Sequence, residues 1–183
     1  IDMIAGPSEI GIIADDSANP VHLAADLLSQ AEHDPRARAI MVTTSESLAN
    51  AVSDEVERQL KLLPRESIAR PAIENNSYIA VMDSVEDMFT VMNEVAPEHL
   101  EIQLPDPMGY MSLIQNAGSV FLGAYASEPL GDYVGGTNHV LPTSGTARFS
   151  SPLGVYDFVK RTSFTQFTKE GFEEVATHIS TLA

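Results

Sequence analysis

Cysteine is absent from the 183 residues. Disulfides, thiolate metal sites and a cysteine nucleophile are therefore excluded. With the last goes the thiohemiacetal route to oxidising an aldehyde. A reducing cytoplasm is compatible with this composition. Basic residues are scarce too: 10 Lys and Arg stand against 26 Asp and Glu, for a formal net charge of −16. So acidic a chain repels phosphate backbones and anionic lipid, and neither nucleic-acid nor membrane-surface binding is expected. No apolar run approaches the roughly 18 residues of a spanning helix, and no basic stretch followed by an apolar one forms a secretory signal. The first residue is Ile1, not Met, which predicts that the chain begins inside a longer sequence.

What is present suffices for a core. Hydrophobic residues make up 44% and charged residues 20%, the balance of a folded domain. Glu9–Asp15 is a short apolar run and predicts a buried strand. Asp16–Pro20 supplies helix-start chemistry, and Val21, Ala24, Ala25, Leu28 and Ala31 then recur at helical spacing. A helix is expected from about 20 to 33, stopped at Asp34-Pro35. The same reading gives strands at Arg38–Thr44, Asn76–Asp83 and Ala117–Leu122, and a short extended piece at Leu100–Leu104. Helices are expected at Ser45–Leu63, Val85–Val95 and Pro107–Asn116. The alternation predicts an α/β fold, a mainly parallel sheet with helices on both faces. Its buried strand residues would be Ile10, Ile12, Ile13, Ile40, Val42, Ile79, Val81, Val120 and Phe121. Gly123–Gly154 is rich in Gly, Ser, Thr and Pro and nearly without periodicity, which marks a functional or mobile segment. Helical spacing returns over residues 168–183, with Phe172, Val175, Ala176, Ile179 and Leu182 on one stripe.

Three clusters carry chemistry. Gln30 and His33 lie three apart at a helix end and share a face, so they can offer an oxygen and an imidazole to one metal ion. A surface Gln beside a C-capping His is the plainer reading. Glu98-His99 follows a helix, and an adjacent carboxylate and imidazole suit acid–base work, although such a pair is also ordinary in loops. Asp132 and His139 sit in GDYVGGTNH, where glycines permit close approach to a ligand or merely make a turn. The run is not a phosphate cradle, because it lacks the strand–glycine–helix context and a Walker lysine. His22 and His178 read as structural.

The joint order of these clusters is more specific than any one of them. DMIAGPSE at 2–9, SQAEHDP at 29–35, APEHLEI at 96–102 and the long run GDYVGGTNHVLPTSGTARFSSPLGVYDFVKRTS at 131–163 resemble the histidinol dehydrogenase family, in sequence and in spacing. The resemblance covers essentially the whole chain. It implies oxidation of L-histidinol to L-histidine in two NAD-dependent steps by a cytoplasmic zinc enzyme, a homodimer. Carried over position by position, Gln30, His33 and Asp132 are zinc ligands. Glu98 and His99 are the catalytic pair, with His99 as general base and Glu98 activating water. Ser8 and His139 contact the substrate, together with Gln30, His33, His99 and Asp132. The absence of a thiol fits a water-based route. The resemblance further implies an incomplete Rossmann-like domain over residues 1–152 and the start of a small helical domain over 153–183. NAD-contacting residues are expected upstream of Ile1 and a fourth zinc ligand downstream of Ala183, so the chain by itself is not expected to turn over. Two rivals remain open: a non-catalytic metal- or ligand-binding module on the same fold, and a dehydrogenase of another amino alcohol.

Overall fold

Residues 3–182 are described by a computed structural model. Ile1, Asp2 and Ala183 lie outside the described residues, and with them the first residue of the DMIAGPSE stretch. Five parallel strands form one sheet in the order β3-β2-β1-β4-β5. They are β1 (Glu9–Ala14), β2 (Arg38–Thr43), β3 (Tyr78–Val81), β4 (His99–Gln103) and β5 (Ser119–Leu122). The order reverses between β1 and β4, as in doubly wound folds.

Three of the helices begin at a side-chain cap. Asn19 accepts from the backbone N–H of Val21 ahead of α1 (Pro20–Ala31), and Pro20 fills the first helical position. Ser45 caps α2 (Glu46–Leu60), and Ser84 caps α4 (Val85–Val95). Side-chain alternation in the strands then sorts the core into two layers. Ile10, Ile12, Ala39 and Met41 pack beneath α1, α2 and α3 (Glu66–Asn76). Ile13, Ile40, Val42, Leu100 and Ile102 pack against α4 and the 3₁₀ segment Pro107–Leu113 on the other face. Because α1 runs back along β1, its C-terminal end returns to the sheet edge where β1 and β4 begin.

Several expectations are corrected. The helix expected over Ser45–Leu63 ends at Leu60, and α3 follows, unforeseen because its Pro71 sits inside the helix. Proline removes one backbone donor there, which normally argues against helix. The strands β3 and β5 are sheet edges, so Val81 and Val120 are 50% and 36% exposed where burial was expected. Ile79 is only half-buried. The segment expected to be helical over Pro107–Asn116 is 3₁₀ and ends at Leu113. Gly123–Gly154 contains a short helix, α5 (Glu128–Tyr133). The apolar stripe of α6 (Lys169–Leu182) is present but unpartnered, with Phe172, Ile179 and Leu182 all exposed. Among the described residues no helix is long and apolar enough to cross a membrane.

Candidate active site

Four segments distant in sequence meet at the amino-terminal edge of the sheet, around a cavity of about 180 Å³. Doubly wound folds ordinarily bind ligands at the opposite, carboxyl edge. Here the chemistry-bearing side chains stand at the strand beginnings. Ser8, Gln30, His33, Glu98, His99 and His139 line the cavity, as does Glu128. A larger groove of about 520 Å³ runs between α2 and the edge strand β3, but no histidine lines it and no expected site residue reaches it.

His99 is the first residue of β4 and pairs in register with Ile10. Its Nδ1 lies 3.1 Å from the backbone oxygen of Glu9. A carbonyl can only accept, so Nδ1 carries the proton and Nε2 keeps its lone pair. That Nε2 is buried and has no hydrogen-bond partner. Burial pushes the pKa of His99 down, against the pull of the Glu9 carbonyl and of the Asp132 charge. The ring is therefore neutral near pH 7, with its basic nitrogen turned away from the bond that orients it.

Glu98 is held by the same residue. Its Oε2 accepts from the backbone N–H of Glu9 at 3.0 Å and stands 3.6 Å from His99 Nδ1. Burial raises its pKa to about 7 despite that N–H bond, and the Glu9 charge raises it further. A carboxyl poised there can release or hold a proton at neutral pH. The Glu9 side chain is itself anchored, 3.3 Å from Arg38 Nη1 and accepting from the Ser144 N–H at 3.2 Å. The turn from α4 into β4 passes through Ala96, a left-handed residue with φ 51°, and then Pro97. Gly118 lies directly beneath: a Cβ there would come within 2.5 Å of the Glu98 carbonyl oxygen.

The C-terminal end of α1 supplies the second group. Gln30 is buried, and its amide Nε2 lacks a partner. His33 is exposed to the cavity side, with Nδ1 2.7 Å from the Ser29 carbonyl, so its Nε2 is the free nitrogen. The third group comes from the glycine-rich run. Helix α5 presents Glu128 and Asp132 one turn apart. Asp132 Oδ2 is 2.7 Å from His139 Nδ1. That bond raises the pKa of His139. Burial works to raise Asp132, but His139 and then Glu128 outweigh it and hold the carboxyl below its usual value. Glu128 goes the other way, to about 7, through burial and the neighbouring Asp132.

Of the residues singled out in the sequence, Asp132 alone is not in the cavity wall. It reaches the site through His139 and Glu128. Ligand atoms of His99, Glu128 and Asp132 lie within 4.8 Å of one another, a grouping different from Gln30, His33 and Asp132. Asp132 bonds His139 and neighbours Glu128 on its own helix. His22 and His178 are exposed and stand apart from the cavity. Glu128, 3.8 Å from His99 Nε2, is the site residue the sequence reading missed. The available signal was its spacing: it precedes Asp132 by four positions in SEPLGDY.

A parallel α/β sheet carrying a tautomer-locked neutral imidazole, a carboxyl poised near neutrality and a hard-donor cluster defines an acid–base enzyme domain with the means to bind a metal. The family model for histidinol dehydrogenase matches residues 1–183, and the chain belongs to that family. It is 69% identical over its full length to the histidinol dehydrogenase of Lactiplantibacillus plantarum and 62% identical to that of Streptococcus mutans. It spans 43% of the length of each. A crystal structure of histidinol dehydrogenase from Elizabethkingia anophelis superposes with a TM-score of 0.88 at 44% identity, covering all of this chain and 42% of that one.

Proposed function

We propose that the whole protein oxidises L-histidinol to L-histidine in two steps through L-histidinaldehyde, as a cytoplasmic homodimer using zinc and NAD. The observation that carries this reading is His99: a buried, neutral imidazole whose Nδ1 is committed to Glu9 and whose Nε2 has no partner. An orphaned lone pair in a cavity is costly unless a ligand completes it. The exposed apolar stripe of α6 supports association with a second subunit.

The donor set fits zinc. Gln30, His33 and Asp132 offer an amide oxygen, an imidazole nitrogen and an ionised carboxylate, all ligand types compatible with zinc. The Gln30 amide nitrogen has no hydrogen-bond partner among the described residues, and a flip of the amide exchanges it with the oxygen. The Ser29 carbonyl fixes the His33 tautomer, as metal-ligating histidines require. Leaving His99 outside the ligand set keeps its Nε2 for proton transfer. No glycine-rich dinucleotide fingerprint occurs in these residues, so no NAD contact is assigned to them.

When bound, zinc supplies a Lewis acid that orients and polarises the substrate, and NAD the hydride acceptor for both oxidations. The chain's own residues handle the protons. In the first oxidation the alcohol proton passes to Nε2 of His99 as hydride leaves the carbon. Glu98 then takes a proton from the water that attacks the aldehyde carbon. His99 gives its first proton to the aldehyde oxygen as the hydrate forms, and then accepts a hydroxyl proton of the hydrate as the second hydride leaves. Ser8 and His139 line the same cavity and contact the substrate. The test is an assay of the whole protein with L-histidinol, zinc and NAD. Two NAD reduced per histidine is expected. No turnover overturns the reading, and faster turnover of another amino alcohol in the same screen replaces the substrate.

A further inference from the structure

Below the cavity lies a buried acid that the proposed chemistry does not use. Glu101 is fully buried on β4. It is two residues beyond His99, so both side chains leave the same face of the sheet. That face is the one α1 covers, since Glu101 pairs in register with Ile12. Glu101 Oε1 accepts from the backbone N–H of Glu128, the first residue of α5, at 3.3 Å. Its Oε2 accepts from Gln103 Nε2 at 3.1 Å. Asp26 on α1 stands near enough that its charge adds to burial in raising the pKa of Glu101.

The placement of these partners gives the pair its meaning. Asp26, Gln30 and His33 fall at i, i+4 and i+7, one stripe of α1. Glu128 and Asp132 are one turn apart on α5. Glu101 thus touches the helix that carries Gln30 and His33 and the helix that carries Asp132, from a strand that neither can move. Helix α5 has only six residues, too few to be stable without such contacts. We propose that Glu101, buried facing Asp26 of α1 and accepting from the Glu128 backbone N–H, is a positioning residue that sets α1 against α5 and so fixes the distance between the zinc ligands. This rests on the ligand assignment made above.

The experiment uses the whole protein with Glu101→Leu, Glu101→Gln and Gln30→Ala. Glutamine keeps an acceptor for the Glu128 N–H and a donor for Asp26. Zinc affinity is measured by competition with a chelator, and amide exchange at Glu128 is measured in the metal-free protein. Glu101→Leu is expected to lose about 10- to 100-fold in zinc affinity, the range seen when an outer partner of a metal ligand is removed. Its Glu128 amide should exchange faster, and its turnover should recover at saturating zinc with KM for histidinol little changed. Glu101→Gln should restore most of both losses. If Glu101→Leu does not fold, Asp26→Leu, at a half-buried position, carries the same expectations. Unchanged zinc affinity and Glu128 exchange in the folded leucine variant would overturn the proposal. So would an equal loss in the glutamine variant. A wild type that binds no zinc, indistinguishable from Gln30→Ala, would overturn the ligand assignment itself and the proposal with it.

Discussion

Replacing Gly118 by alanine should disable the site without touching any group that reacts. A Cβ at this position would lie 2.5 Å from the Glu98 carbonyl oxygen, 3.1 Å from Pro142 Cδ and 3.3 Å from the Glu98 carbonyl carbon. The first of these is backbone, so no side-chain rotation relieves it. The same carbonyl accepts the Ser119 N–H at 2.8 Å, which fixes β5 against β4 at this point. Relief requires Gly118 and the Pro97-Glu98-His99 segment to move apart, which disturbs the seating of β4 against Glu9 on β1. Overpacking of a close-packed interior costs about 1–3 kcal/mol. A displacement of roughly 1 Å at reacting groups can cost on the order of 100-fold in rate. Gly118→Ala in the whole protein should therefore lower Tm by several degrees and kcat by one to two orders of magnitude, about the loss such a misplacement brings. Gly154→Ala is the control, because its Cβ would meet only ordinary contacts at 3.8 Å and beyond. Steady-state kinetics and thermal melting on both variants decide the matter. A Gly118→Ala protein that melts and turns over like wild type would show that the beginning of β4 is not fixed as described.

Other outcomes follow from the same geometry. His99→Asn should keep the fold and lose about 10²–10⁴ in kcat, the usual cost of removing a general base; an activity loss of only a fewfold would assign proton transfer elsewhere. Metal-free stability should fall as pH rises. Glu98, Glu128 and Glu101 titrate at about 7, about 7 and about 8 in the folded chain, against 4.5 when unfolded. Their raised values mean that the folded state binds more protons, so their stabilisation is complete below pH 4.5 and is lost as pH climbs toward 8. His99, its pKa lowered, works in the opposite sense below pH 6.5. Thermal melts from acid to mildly alkaline pH test the balance, and a Tm that rises steadily toward pH 8 would contradict it. Finally, hydrogen exchange over Gly123–Gly154 should be faster than in β1 and β2, since this segment has little regular structure; equal protection would show that it is as firmly held as the sheet.

Local chemistry made much of the fold legible. The apolar runs of β1 and β2, the Asn19-Pro20 start of α1 and the Ser84 start of α4 are short-range signals. Position within the sheet is not short-range. Nothing in YIAV or SVFL distinguishes an edge from a centre, and so Val81 and Val120 were misjudged. Helix α3 escaped because Pro71 and a polar composition hide its periodicity. The candidate site divides the same way. The Gln30–His33 and Glu98–His99 pairs each have a plainer reading on spacing alone, and only their joint order with the other motifs brings them out. No spacing shows the contacts that make them a site, because His99 bonds a carbonyl 90 positions away and Glu98 an amide 89 positions away. Glu128 and Glu101 looked like ordinary acids, and only burial makes them otherwise.

The two bonds that aim Glu98 and His99 both end on main-chain atoms of Glu9. Codon changes rewrite side chains, and all but one of them leave the amide and the carbonyl of residue 9 where they were. Alanine scanning across this edge would therefore pass over the groups that set the imidazole's tautomer. Only proline, which deletes the N–H, or a synthetic ester in place of the amide would expose the bond to Glu98. To that extent the aim of these two side chains is inherited with the strand, and is insulated from the drift that alters its side chains.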